Sequence, residues 1–319
     1  MPIIDAHCDV LSKLYMDPSI DFSDEQSGLD ASLPKLVRGN VLLQCFAIWI
    51  PERAEGAGMD HLLAYAELFR EKIIKKGSFR FVRTSEDLRK AAALGKRCAL
   101  LTMEGADALH GSFSHLRTMF DLGVRCLGLT WNYANWAADG IMEPRAGGLT
   151  VKGRKLVQEC NDLGIILDVS HLSEAGFWEL AELSSKPFIA SHSNVKEICP
   201  HPRNLTKDQV ETIARQGGVI GVNFYPPFLT KNESAGISDV LRHIETLCEW
   251  GGEKACGLGS DYDGISRKPA GLEDAASFEK LQDAICKIYS AEQAERILYR
   301  NWFEFFVTQL PKSECCQVN

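Results

Sequence analysis

The chain alternates between two kinds of segment along its 319 residues, and this alternation is what most restricts its fold. Eight short apolar, β-prone runs recur, most of them followed by a segment with helical spacing: residues 3–6, 41–48, 98–103, 125–130, 165–169, 187–190, 218–223 and 255–259. Runs that are apolar on both faces suit a parallel sheet that is covered by helices. Eight such units predict a (β/α)8 barrel of the TIM type.

An open, doubly wound α/β sheet is the alternative arrangement for the same alternation. Such a sheet usually carries a Gly-rich phosphate-binding turn after an early strand, and the sequence has none. The sequence also lacks a linker or a low-complexity segment. We therefore predict one barrel domain that covers residues 1–319.

Apolar residues at spacings of three and four predict the helices between the strands. These segments are residues 61–74, 149–163, 173–183, 206–216, 237–250 and 291–310. The last of them is expected to close the outer ring of helices. Four stretches do not fit the repeating unit, and we expect them to cross one end of the barrel: residues 17–36, 132–148, 224–236 and 264–275.

Charge and composition restrict the partners of the chain. The net charge of −8 argues against nucleic acid or an anionic membrane as the main partner, because both select basic surfaces. No apolar run approaches the roughly 18 to 20 residues that cross a bilayer, and the first residues lack a signal-peptide pattern. The eleven cysteines include no CxxC pair, which predicts reduced thiols in a cytoplasmic protein.

Polar residues stand at the ends of the predicted strands. The first run leads into His7-Cys8-Asp9, a spacing that points the imidazole and the carboxylate to the same side of an extended backbone. The later runs lead into Glu104, Trp131, Asn132, His171, His192, Asn223 and Asp261. Since barrel enzymes carry their active sites at the carboxyl ends of the strands, we expect these side chains to meet.

Imidazole nitrogens and carboxylate oxygens in one cluster are typical of a site for zinc or another divalent transition ion. Five candidate ligands are too many for a single tetrahedral catalytic site with an open position: His7, Asp9, Glu104, His171 and His192. They suit two ions about 3.5 to 4 Å apart that share one carboxylate. Glu104 is the candidate bridge, because it lies along the chain between the first pair and the two later histidines.

Seven short motifs, in this order and spread over nearly the whole chain, resemble those of the membrane (renal) dipeptidase family. They are His7-Cys8-Asp9, Met103-Glu104-Gly105, Val169-Ser170-His171, Ser191-His192-Ser193, Arg203-Asn204, Val222-Asn223-Phe224-Tyr225 and Gly259-Ser260-Asp261-Tyr262-Asp263-Gly264. The resemblance implies a (β/α)8 barrel with two zinc ions per chain. It also implies cleavage of dipeptides, often including those with a D-residue at the C-terminal position, and dimers are common in the family.

The resemblance assigns a role to each matching position. It implies that His7 and Asp9 bind one zinc ion and that His171 and His192 bind the other, with Glu104 bridging the two. Asp261 matches the family's acid/base. Arg203 matches the residue that binds the terminal carboxylate of the substrate, and a guanidinium can bind a carboxylate with two parallel hydrogen bonds.

Two positions depart from the mammalian branch of this family. Trp131 stands where that branch has a histidine that stabilises the reaction intermediate, and Phe228 stands where it has a tyrosine near the substrate carboxylate. Asn132 and Asn135 are candidates for the missing donor, and Trp131 and Asn132 are expected to contact the substrate. We predict a substrate range that differs from the mammalian pattern.

Other interpretations of the same residues remain open at this point. The chain could be a related amidohydrolase that acts on another amide or a lactone with the same metals, or a metal-loaded barrel without catalysis. Asp263 is an alternative to Asp261 as the base. Asp168, inside the fifth run, is expected to support a neighbouring ligand. The other five histidines are expected to be surface or capping residues: His61, His110, His115, His201 and His243.

Overall fold

A computed structural model of the chain describes residues 1–52, 56–76 and 79–313, so the last six residues of the predicted 1–319 domain lie outside it. Its strands are β1 (Ile3–Asp5), β2 (Val41–Trp49), β3 (Arg80–Phe81), β4 (Cys98–Glu104), β5 (Val124–Gly128), β6 (Ile166–Asp168), β7 (Ile220–Val222) and β8 (Cys256–Leu258). Seven of these strands coincide with predicted runs, while β3 was not predicted.

The strands form a parallel sheet in the order β6-β5-β4-β2-β1-β8-β7, with β3 beside the start of β4. The predicted run 187–190 is not a full strand. Two of its residues nevertheless connect the ends of the sheet, because Ile189 bridges Asp168 of β6 and Ala190 bridges Ile220 of β7. The sheet therefore curls into a ring with eight positions, and the predicted barrel class is confirmed.

Helices follow most of the strands. They are α1 (Val10–Met16), α2 (Leu33–Arg38), α3 (Met59–Leu68), α4 (Ser85–Ala93), α5 (Phe113–Asp121), α6 (Val151–Leu163), α7 (Glu174–Leu183), α8 (Lys207–Arg215), α9 (Pro226–Leu229), α10 (Ile237–Gly251), α11 (Phe278–Ile288), α12 (Ala291–Glu295) and α13 (Asn301–Gln309). Helix α3 continues into a π-helical segment, Phe69–Lys75, and a second one, Arg296–Arg300, joins α12 to α13.

Local sequence accounts for where several helices begin and end. The Thr150 hydroxyl caps α6 by accepting the backbone N–H of Gly153, and Gly164 ends the same helix with a φ of 82°. This left-handed conformation favours glycine. At the start of α8, Thr206 and Gln209 form a reciprocal capping box. These signals hold the helix boundaries close to the predicted ones.

The apolar interior has two parts. The larger cluster fills the layer between the sheet and the helices, and the smaller one gathers early strand residues such as Ile4, Leu43 and Ile166 against Trp302 of α13. The Trp302 indole also donates to the carbonyl of Leu258. The predicted last helix therefore packs against the starts of the strands rather than only joining the outer ring, because its aromatic face matches that apolar layer.

Two expectations from composition can be compared with the fold. Within the described ranges, no helix combines the length and apolar character needed to cross a membrane. Nine of the eleven cysteines lie in these ranges, and all nine carry free thiols, as expected. Most are buried, including Cys8, whose side chain belongs to the larger apolar cluster.

Candidate active site

The carboxyl ends of the strands bring the candidate ligands into one buried cluster. His7 and Asp9 follow β1, Glu104 is the last residue of β4, and His171 and His192 follow β6 and the 189–190 bridge. The other four residues are each at most 9% exposed, and the side chain of Glu104 is likewise only 9% exposed. The order of the strands around the ring therefore places side chains from distant parts of the sequence within a few ångströms.

Glu104 lies at the centre of the cluster, and its two oxygens face opposite sides. Oε2 lies 3.3 Å from Nε2 of His7, which is also 3.3 Å from Oδ2 of Asp9. Oε1 lies 2.8 Å from Nε2 of His171 and 3.6 Å from Nε2 of His192. A carboxylate with one oxygen on each side has the geometry needed to join two sets of ligands.

Hydrogen bonds at the far nitrogen of two imidazoles select their tautomers. Nδ1 of His171 lies 3.0 Å from Oδ1 of Asn132, an acceptor, so Nδ1 carries the proton. Nδ1 of His192 lies 2.8 Å from the Ser191 hydroxyl, which donates its own proton to Asp168. In both rings this leaves a lone pair on Nε2, directed into the cluster.

The charges of the cluster follow from burial and from close neighbours. Burial alone would raise the pKa of Glu104, but His7 and His171 lower it well below its usual value. Burial, with the positive charge of Arg203, lowers the pKa of His171 to about 4. Burial also lowers the pKa of His192. Near neutral pH Glu104 is therefore an ionised carboxylate, and His171 and His192 are neutral imidazoles. Against the effect of burial, Glu104 and Asp9 in turn raise the pKa of His7 well above its usual value.

These donors fit a divalent metal. Nε2 of His171 and Nε2 of His192 are 3.0 Å apart, and both carry lone pairs, a repulsive contact that a cation between them would relieve. Nε2 of His7 is buried and makes no hydrogen bond to any described residue. Two overlapping trios have donor atoms within 4.8 Å of one another: His7, Glu104 and His192, and His7, Asp9 and Asp261. Nitrogen and carboxylate donors in such trios suit zinc and similar ions.

Asp261 follows β8 and borders the same cluster. Its Oδ2 accepts the side-chain amide of Asn223, and its Oδ1 is 3.8 Å from Nε2 of His7. Burial, with the carboxylates of Asp9 and Glu104 nearby, raises the pKa of Asp261 to about 8. A carboxyl group that exchanges its proton near neutral pH is suited to general acid/base chemistry. Sequence analysis placed Asn223 among the strand-end residues and in one of the family motifs but gave it no role, and its contact with Asp261 depends on the fold.

Asp263, the alternative base, is fully engaged elsewhere. Its Oδ1 accepts the backbone N–H of Asp30 and its Oδ2 that of Ala31, at 2.8 and 2.9 Å. The ammonium of Lys13 lies 2.8 Å from Oδ1. With both oxygens occupied, Asp263 is poorly placed to accept a proton from a substrate, which favours Asp261.

Arg203 is 4% exposed and lies beside the cluster. Its Nη2 donates to Nε2 of His171 at 3.1 Å and to the carbonyl of His192 at 3.2 Å. Nε and Nη1 are buried without a partner among the described residues. A buried guanidinium with unpaired donors is costly, so it is suited to receive an anionic group. Phe228 lies under it, with the guanidinium carbon 5.5 Å from the ring centre.

The cluster opens into a cavity of about 520 Å³. The cavity is lined by Arg203, Asp261 and the predicted Trp131 and Asn132. Trp49 also lines it, and its ring lies edge-on to that of Trp131, with the ring centres 5.0 Å apart. Sequence analysis missed Trp49, although it stands directly after the predicted run 41–48, where the other candidates were found.

Two expectations about polar side chains need correction. Asn135 is not a free donor for a substrate, since its amide donates to Asp107 and to the carbonyl of Leu129. His243 is not a surface residue. It is fully buried in α10, where it accepts the backbone N–H of Val195 and bonds to the carbonyl of Leu229. A helical position alone did not distinguish a surface histidine from one that connects three segments of the interior.

The chain can be compared with known proteins at three levels. A family model described as membrane dipeptidase (peptidase family M19) matches residues 1–310. Among curated relatives, dipeptidase aclJ from Aspergillus oryzae is 36% identical over 191 residues, which are 59% of this chain and 45% of that protein. The matched stretch therefore spans less than half the length of that relative.

Solved structures match over almost the whole chain. Dipeptidase AC, a metallo peptidase of family M19, has a TM-score of 0.89 and 31% identity, covering 98% of this chain and 99% of its own. A metallo peptidase from Rhodobacter sphaeroides, liganded with a phosphinate mimic of L-Ala-D-Ala, has a TM-score of 0.87 and 30% identity over 97% and 99%. The chain therefore belongs to the membrane dipeptidase family, peptidase family M19.

Proposed function

We propose that this chain hydrolyses the peptide bond of dipeptides with two zinc ions bound on either side of Glu104. Membership of the M19 family makes the chain a metal-dependent dipeptidase. The number and identity of the ions and their ligands are the proposal. The observation that carries it is the position of Glu104, with one oxygen towards His7 and the other towards His171 and His192.

His7 and Asp9 would hold one ion, and His171 and His192 the other. When bound, the two ions would supply a water that ionises near neutral pH. The hydrogen bonds from His171 to Asn132 and from His192 to Ser191 support this assignment, since they place the ring proton on Nδ1 and direct the Nε2 lone pair into the cluster. On His171 a metal would take the place of the Arg203 N–H at this lone pair. In this proposal Asn132 acts on the substrate indirectly, by orienting His171.

Asp261 would act as the acid/base. In a half-buried position beside Asp9, its carboxylate would take the proton of the attacking water and return it to the leaving amine. The position of Asp261 supports this role, because its Oδ1 lies at the edge of the cluster, 3.8 Å from Nε2 of His7. The amide of Asn223 would keep its other oxygen in place.

Arg203 would bind the C-terminal carboxylate of the substrate through the two nitrogens that have no partner among the described residues. A fixed distance between this guanidinium and the metals would select dipeptides by length. Trp131 and Trp49 would form the wall beside the scissile bond. The L-Ala-D-Ala mimic in the Rhodobacter sphaeroides relative supports the inclusion of dipeptides with a C-terminal D-residue.

The nine described thiols are free, which supports a reducing compartment such as the cytoplasm. The packing of α13 against β1 and β8 supports one barrel domain for the chain.

A substrate panel tests the proposal. The zinc-loaded protein is given L,L and L,D dipeptides, N-acylated amino acids, dipeptide amides and lactones at matched concentrations. We expect kcat/KM for the better dipeptides to exceed that for dipeptide amides and lactones by at least about 100-fold, because neither of these presents both a peptide bond to the metals and a carboxylate to Arg203. N-acylated amino acids present both, so their rates measure the contribution of the free amino group. Faster cleavage of a lactone or of dipeptide amides would contradict the proposal.

A further inference from the structure

The turn that follows β8 has an unusual backbone. Asp261 and Asp263 both have positive φ angles, 64° and 70°. Residues with a Cβ rarely adopt this left-handed conformation, and it persists where the surrounding structure holds it in place. Asp261 is the proposed acid/base, so whatever holds this turn also determines where its carboxyl group lies.

Asp263 connects the turn to the stretch before α2 by a reciprocal pair of contacts. Its carboxylate accepts the backbone N–H groups of Asp30 and Ala31, at 2.8 and 2.9 Å. In return, the Asp30 carboxylate accepts the backbone N–H of Asp263 at 3.1 Å. We call this set of three hydrogen bonds the Asp30–Asp263 clasp.

Two lysines balance the charges of the clasp. The ammonium of Lys13, on α1, lies 2.8 Å from Oδ1 of Asp263, and that of Lys268 lies 2.8 Å from Oδ2 of Asp30. Both aspartates are at most 8% exposed. Buried carboxylates with this many donors make short, directional contacts, so the clasp is a stiff connection.

The turn has little room to move. The N–H of Gly264 donates to the carbonyl of Asp261 at 3.1 Å. A Cβ at Gly264 would lie 2.2 Å from Oδ2 of Asp9 and 2.8 Å from Oδ1 of Asp261. A small shift of this backbone would therefore displace the Asp261 carboxyl group from its place beside Asp9 and His7.

We infer that Asp263 is a positioning residue for catalysis, which acts through the Asp30–Asp263 clasp to hold Asp261 in its left-handed conformation at the cluster. The stretch before α2, far from the other site residues in sequence, thereby takes part in turnover. The inference rests on the proposed role of Asp261 as the acid/base.

A double-mutant cycle between Asp263 and Asp261 tests this. Asp263→Asn keeps the shape of the side chain but turns one oxygen into an amide that faces a backbone N–H or the Lys13 ammonium. We expect kcat to fall about 10- to 100-fold, because small misplacements of a catalytic group have effects of that size. KM should stay within about threefold and bound zinc should be unchanged. In an Asp261→Asn background, Asp263→Asn should lower kcat by less than about twofold further.

Two further variants complete the design. Asp30→Asn breaks the clasp from its other side and should reproduce the loss of kcat, and it decides the matter if Asp263→Asn does not fold. Asp87→Asn is the matched control. Like Asp263, Asp87 accepts two backbone N–H groups, those of Arg83 and Thr84, but it lies outside the cavity lining, so kcat should be unchanged.

Three results would overturn the inference: an unchanged kcat in both clasp variants, an equal fold-loss with and without Asp261, or a loss of zinc that accounts for the lost turnover. The proposed function has a separate readout. If the wild-type zinc protein cleaves no dipeptide, the proposed function is wrong and the inference falls with it. If wild type is active and the clasp variants match it, only the inference is wrong.

Discussion

At the scale of single residues, the site depends on which atom of each side chain faces the cluster. His171 and His192 present Nε2 because Asn132 and Ser191 bond to their other nitrogens. Glu104 presents a different oxygen to each side. These orientations turn a group of buried polar residues into a set of metal donors. Each depends on a neighbour that arrives from another part of the chain.

Gly264 allows a close approach to two carboxylates of the site, and its replacement gives a sharp prediction. In Gly264→Ala the added methyl group would overlap the carboxylates of Asp9 and Asp261. We expect kcat/KM to fall at least about 100-fold, since both groups would have to move. Steady-state kinetics and a thermal melt would separate this loss from a loss of folding.

Gly236→Ala is the matched control for that experiment. Its added Cβ would meet the Ala270 carbonyl oxygen at an ordinary 3.8 Å, and the residue has an extended backbone with a φ of −139°. Turnover should match wild type. Normal turnover in Gly264→Ala would show that the carboxylates are not confined as described.

The sequence predicted the members of the cluster better than their contacts. His7, Glu104 and His171 could be found because each stands at the end of an apolar run, and such ends meet in a barrel. The specific hydrogen bond from Asn223 to Asp261, and the contacts of Asp263 with residues 30 and 31, could not be found in this way. They join segments up to 233 residues apart, and no local pattern records such pairs.

At the scale of elements, short strands are enough to position the site. β1, β6, β7 and β8 have three residues each. Apolar composition predicted these strands because their residues are buried and apolar even where the strand forms only a few hydrogen bonds to its neighbours. The same rule placed a full strand at 187–190, where only Ile189 and Ala190 form bridges. It missed β3, whose two residues are too few to produce a pattern.

The loops after the strands provide the cavity wall, and we expect two residues in these loops to determine which dipeptides are preferred. Trp131 and Phe228 line the cavity with apolar rings at two positions where the sequence resemblance predicts polar donors in the mammalian branch. We expect Trp131→His with Phe228→Tyr to change the ratio of kcat/KM between at least two dipeptides by about tenfold. A hydrogen bond to a charged group contributes about 1.5 to 3 kcal/mol.

A panel of L,L and L,D dipeptides would measure that change. Trp250→His, in α10 and away from the cavity, is a control for the loss of an indole alone. Ratios that stay within a factor of two in the double variant would mean that neither ring selects the substrate.

At the scale of the whole molecule, the barrel assembles one site from the entire chain. β1 pairs directly with β8, the last strand, and Asp5 of β1 accepts both the N–H and the hydroxyl of Ser260, just before Asp261. Residues 189 and 190 close the ring between β6 and β7, next to His192. The site therefore requires the complete ring, and metal binding should couple to the stability of the fold.

A zinc titration of the metal-free protein, with hydrolysis of a dipeptide followed at each addition, tests the central claim most directly. The account predicts that activity rises to a plateau at two zinc ions per chain and that the melting temperature rises with it. Glu104→Gln should bind less zinc and stay inactive. Glu159→Gln, which changes a half-buried residue paired with Arg117 away from the cavity, should behave as wild type. A plateau at one zinc ion per chain, or full activity in Glu104→Gln, would contradict a bridged two-metal centre.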